Sequence, residues 1–169
     1  DVEHIALHGG SMVLHMRRQG VGAPSARLTA MQAAEDAAGC NSPARWKQFA
    51  DDVRAWKVKF EALIAELDKS GATLIGYGAA AKANTLMCYC PSAAKPLKFI
   101  LDRSSHKQGR FTPGTHIKVE HPDFWKQGTP ATHMVILAWN FKDEIMEQMK
   151  AFRDQGGKFV IPIPDPTVI

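Results

Sequence analysis

Apolar and polar side chains alternate from Ser11 to Met16, the period of a strand with one covered face. With the preceding "VEHIALHGG", this makes Val2 to Arg17 an extended segment that bends or bulges at Gly9-Gly10. "GVGAPS" at 20–25 breaks the pattern, and Ser25 is placed to cap an Ala-rich helix that reaches about Ala38 and ends at Gly39. Asn41 or Ser42 then caps a second helix, with Pro43 in its first turn. Its apolar positions are Trp46, Phe49, Val53, Trp56, Phe60, Leu63, Ile64 and Leu67, stepping mainly by three and four until Gly71. That spacing gives one apolar face, whose aromatic residues are expected to anchor a core.

The pattern changes at Ala72. Short uninterrupted apolar runs follow at 73–77, 97–101, 117–119, 134–138 and 158–163. A helix starting near Ala80, a turn at Pro122 to Trp125 and an amphipathic helix from about Lys142 to Gln155 lie between them. Unbroken apolar runs are strands covered on both faces, and strands alternating with helices form a parallel sheet. The predicted fold is α/β, a Rossmann-like, doubly wound, mainly parallel sheet of five strands over residues 72–169. An extended strand and two helices precede it, as a lead-in segment over residues 1–71.

Composition narrows the function classes. The 169 residues suit one domain, and a net charge of +4 arises from 21 Lys+Arg scattered among 17 Asp+Glu. With no block of like charge, a nucleic-acid partner is not expected. Three cysteines without framework or zinc spacing point to a reducing, cytoplasmic setting, and no metal site is expected. No apolar run is long enough to span a membrane, so no membrane partner is expected either. Because the chain begins at Asp1 and enters strand-like sequence at once, it reads as a piece of a longer polypeptide.

Candidate chemistry centres on "GYGAAAK". Gly76-x-Gly78-x-x-Ala81 follows a strand and opens a helix, the setting of a phosphate-binding turn. Asp102 closes the next strand, where a carboxylate can accept a ribose hydroxyl. Lys82 can pair with a phosphate and Asn84 can bond a ligand. In "RSSHKQGRFTPGTH" the donors Arg103, His106, Lys107, Gln108 and Thr115 are expected at the same crevice. Trp139 and Asn140, after the fourth run, can stack on a base and read its edge. On these residues alone, a nicotinamide-dependent oxidoreductase domain and a non-catalytic interaction module stay open.

Four motifs in order, "HGGSM", "GYGAAAKANTL", "LDRSSHKQGRFTPGTHI" and "LAWNFKDEI...GGKFVIPIP", give the chain a resemblance. It resembles the C-terminal part of S-adenosylmethionine-dependent C-methyltransferases that act on nucleotide-linked deoxysugars. Ala83 stands where that family usually has Gly. The resemblance implies a Rossmann-like domain that binds a nucleotide-diphosphate sugar, with S-adenosylmethionine and the catalytic residues on N-terminal domains outside this chain. The reaction it implies is removal of a proton beside a 4-keto group, followed by methylation of the enolate carbon, and the isolated chain would be inactive. Residue by residue, Gly76, Gly78, Ala80, Lys82 and Asn84 correspond to the substrate loop. Asp102, Lys107, Gln108, Gly109, Pro113, Gly114 and Thr115 correspond to a second segment, Trp139 and Asn140 to a third, and His8 would line the crevice near the sugar.

Overall fold

The computed structural model describes residues 1–128 and 130–169, and of His8 only the backbone. Two compact units result, Asp1–Arg54 and Ala55–Ile169. In the first, β1 (Val2–Ile5) and β2 (Ser11–Leu14) pair antiparallel, with Val2 opposite Leu14. The expected single extended strand is therefore a hairpin. Gly9 and Gly10, both at positive φ, fold it back where a side chain would be strained. Helix α1 (Ala26–Ala37) starts as expected, the Ser25 hydroxyl accepting the Leu28 amide at 3.1 Å, but it buries no residue.

Helix α2 (Pro43–Lys69) begins after Ser42, whose hydroxyl accepts the Arg45 amide at 3.2 Å. Its apolar face is not buried throughout. Trp46 and Phe49 are exposed, whereas Phe60 and Ile64 are buried. The last turns of α2 thus share a core with the sheet, and the unit boundary falls at Arg54 rather than at residue 71.

The second unit continues with β3 (Leu74–Tyr77), α3 (Ala81–Tyr89), α4 (Pro91–Ala94), β4 (Ile100–Leu101) and β5 (Val119–Glu120). After them come β6 (His133–Ile136), α5 (Lys142–Gln148), α6 (Lys150–Asp154), β7 (Lys158–Ile161) and β8 (Thr167–Val168). The sheet order is β5-β4-β3-β6-β7-β8, parallel except for β8, which runs antiparallel to β7. The sheet is thus mostly parallel, but six strands replace the expected five. Pro162 has no amide proton to continue β7, and the chain returns to pair Val168 with Val160.

Alternation along each strand feeds two covered faces. Leu74, Val135, Leu137 and Val160 pack with Phe60, Ile64, Ala83 and Met87. Ile75, Tyr77, Ile136 and Phe159 pack with Ile145, Met149 and Phe152 on the opposite face. Because both faces are covered, the strands read as unbroken apolar runs. Gly76 lies where β3 is squeezed by its neighbours: a Cβ there would come within 2.9 Å of both Ile100 Cγ1 and Leu137 Cδ1. With β4 on one side of β3 and β6 on the other, connections diverge at β3, and a crevice opens beyond the carboxyl ends of the strands. Among the described residues, no helix is long and apolar enough to cross a membrane.

Candidate functional site

Beyond β3 the backbone turns at Gly78, with φ +93°. A Cβ here would stand 2.8 Å from Ala138 Cβ, so the residue answers both to its conformation and to the end of β6. The first turn of α3 follows, and its N-cap, Ala80, offers no side-chain acceptor. The helix therefore directs unpaired amide donors and the positive end of its dipole at the crevice.

Asp102, at the end of β4, ties this loop to the next one. Its Oδ2 accepts the Ala79 amide at 2.8 Å and Lys107 Nζ at 3.1 Å, while Oδ1 accepts the Ser104 amide at 2.8 Å. Gln108 Nε2 donates to the Asp102 carbonyl at 2.9 Å. Asp102, Lys107 and Gln108 are thus brought together at the loop. The carboxylate sequence reasoning offered to a ribose hydroxyl already takes three of the protein's own donors, and it holds the loop's shape.

Lys82, from the first turn of α3, reaches across to the end of β6. Its ammonium donates to Asn140 Oδ1 and lies 5.3 Å from the centre of the Trp139 ring. An ammonium can only donate, so the oxygen of Asn140 must face it. That leaves Asn140 Nδ2 as a buried donor without a partner. Asn140 Nδ2 and the start of α3 are donors with no acceptor assigned to them, the Lys82 ammonium stands beside them, and such a cluster suits an anion with several oxygens. Asn84 also carries a partnerless buried atom, Oδ1, but two residues along a helix turn it about 200° from Lys82, onto the other flank of α3.

The rest of the predicted second segment departs from the crevice. From Gly109 the chain runs back beside β5, with the Gly109 amide on the Val119 carbonyl and the Val119 amide on the Arg110 carbonyl, each at 2.8 Å. Its tip meets the far end of α3, where a Cβ on Gly114 would come within 2.7 Å of Cys88 Sγ. Nine helical residues span about 13 Å. Pro113, Gly114 and Thr115 therefore lie at the opposite end of the sheet from Gly78, which corrects the expectation that Thr115 faces the crevice. The side chain of His8 lies outside the described residues.

Sequence reasoning missed a second polar group, on the α5 side of the sheet. Tyr77 Oη lies 3.2 Å from Gln148 Oε1, Gln148 Nε2 donates to Glu144 Oε1 at 2.7 Å, and Arg103 stands 3.7 Å from Glu144. Burial, partly offset by Arg103, pushes the Tyr77 phenol above its ordinary pKa. Tyr77 read only as a strand residue and Gln148 as one polar position of an amphipathic helix. Nothing local marked them. Among the described residues, no three His, Cys, Asp or Glu side chains gather into a group that could hold a metal ion.

Comparison with known proteins gives a coherent result. Residues 6–164 match the family described as C-methyltransferase C-terminal domain. The whole chain is also 31% identical to the C-methyltransferase NovU of Streptomyces niveus. It spans about 40% of that curated relative's length.

Proposed function

The chain belongs to the family of C-methyltransferase C-terminal domains, and from that premise we propose that it is the substrate-holding part of such an enzyme, gripping the diphosphate of a nucleotide-linked sugar. The observation that carries this reading is the unpartnered Asn140 Nδ2 beside Lys82 at the uncapped start of α3. A diphosphate presents several anionic oxygens that could take all of these donors at once. The order β5-β4-β3-β6-β7 supports reading the second unit as Rossmann-like, with the ligand at its switch point.

For the whole enzyme the proposed reaction is methylation of a keto-deoxysugar through its enolate. S-adenosylmethionine would serve as methyl donor, held by a domain of the same polypeptide outside this chain. The donors at the α3 start do not fit its sulfonium cation, so no residue here is assigned to it. This chain's part is positional. Fixing the diphosphate between Gly78 and Lys82 sets where the sugar extends, and orientation of this kind can supply a large share of a rate enhancement. Three free cysteines fit a reducing cytoplasm.

Titration calorimetry with a panel of nucleoside diphosphates and their sugars tests the reading. Heat of binding with at least one of them is expected. No heat from any at millimolar concentration, with a folded sample, would overturn it.

A further inference from the structure

Trp139 and Asn140 looked suited to a nucleobase, yet the structure engages both with Lys82. The ammonium lies over the Trp139 ring, and Asn140 turns its oxygen to the same cation. A base needs another place within reach of Gly78. One exists on the face covered by α5. A cavity of about 240 Å³ begins at Gly78 and Asp102 and is walled by Arg103, Glu144 and Gln148. A second, of about 510 Å³, shares Tyr77, Arg103 and Gln148 with it and extends to His121. The larger volume lies within the range of roughly 300–1,000 Å³ typical of small-molecule sites.

We propose that this cleft takes the nucleobase of the nucleotide whose diphosphate lies at the α3 start, an inference that rests on the function proposed above. The side chains at its mouth supply what a base requires. The planar guanidinium of Arg103 can stack on a flat heterocycle or donate to its ring acceptors. Glu144 offers acceptor oxygens for an imino or amino edge, and Gln148 carries both an acceptor and donors. The Arg103–Glu144 pair is open to water, with side chains 69% and 59% exposed, and its 3.7 Å separation makes it a weak contact. A base can therefore enter between the two at little cost. Tyr77 closes the floor of the cleft, its phenol fixed against Gln148.

Affinities for ADP, GDP, CDP, UDP, dTDP and inorganic pyrophosphate, measured on the wild-type chain and on Arg103→Ala and Glu144→Ala, test this. Both residues are exposed, so neither substitution disturbs the core. The best nucleoside diphosphate should bind about tenfold or more tighter than pyrophosphate, since stacking a base is worth roughly 1–3 kcal/mol. Each substitution should remove most of that margin while pyrophosphate affinity stays within about threefold. If the wild-type margin exists and survives both substitutions, the base lies elsewhere and this inference fails alone. A nucleoside diphosphate no tighter than pyrophosphate overturns it as well. If neither nucleotides nor pyrophosphate bind, the diphosphate reading falls with it.

Discussion

"GYGAAAK" and "FTPGTH" are both rich in small and polar residues, both carry a glycine at positive φ, and they lie at opposite ends of α3. Their polar groups fare differently. At the far end, Thr112 is buried, and its hydroxyl pairs with that of Thr115 at 2.8 Å and accepts the Ile117 amide at 2.9 Å. That turn meets its needs from within. At the crevice end, Lys82 and Asn140 satisfy each other only in part, and one buried donor is left over. Buried polar groups normally have partners, so a leftover donor marks the end where a ligand belongs. Composition cannot tell the two turns apart, whereas the tally of hydrogen bonds can.

The largest effect should come from closing the crevice end itself. Gly78→Ala combines left-handed backbone strain with a Cβ 2.8 Å from Ala138 Cβ, and it should cost about 3 kcal/mol. Urea unfolding checks this through a lower midpoint with an unchanged slope.

Just past the far end of α3, Cys90 is buried, and alkali should reveal it. Burial, with Glu61 adding to it, pushes the Cys90 thiol from 9.0 to about 11. The unfolded chain releases this proton near pH 9, while the fold retains it to about pH 11. The contribution is therefore complete below pH 9 and is lost as pH rises through that window, by about 2 kcal/mol. Comparing urea midpoints at pH 8 and pH 11 between the parent and Cys90→Ala isolates it. The parent should lose about that much more than the variant over this range.

Much of this contrast was hidden from the sequence for a definite reason. Covered strands announce themselves locally, so four of the five apolar runs located β3, β4, β6 and β7, although the 97–101 run pairs only at Ile100–Leu101. The Ser25 cap and the Gly78 turn are local as well. The run 117–119 pointed to β5, which shifts to Val119–Glu120. What escaped depends on distant partners. Lys82 meets Asn140 across 58 residues, and Tyr77 meets Gln148 across 71. The path of 109–118 is set by pairing along β5, so motif order alone could not say that Pro113 to Thr115 run away from Asp102. Trp46 and Phe49 show the reverse error, since helical spacing predicted burial that the fold does not provide.

The sharpest test of the contrast pairs one substitution from each end. Thr112→Val at the far turn leaves the Ile117 amide without its acceptor in a buried place, which should cost about 2 kcal/mol of stability. Nucleotide affinity, read by calorimetry on the folded variant, should not change. Lys82→Met should do the opposite. Lys82 is half-buried, and its removal frees Asn140 while taking away the cation bonded to the Oδ1 of the same amide. Loss of a charge-assisted contact to phosphate should weaken nucleoside diphosphate binding about tenfold, or about 1.4 kcal/mol, with the urea midpoint nearly unchanged. If Thr112→Val weakened binding as much as Lys82→Met, the two ends would be coupled and the hydrogen-bond contrast would not locate the site. Equal stability loss with no change in affinity for Lys82→Met would make the lysine a packing residue, and the leftover donor would need another explanation.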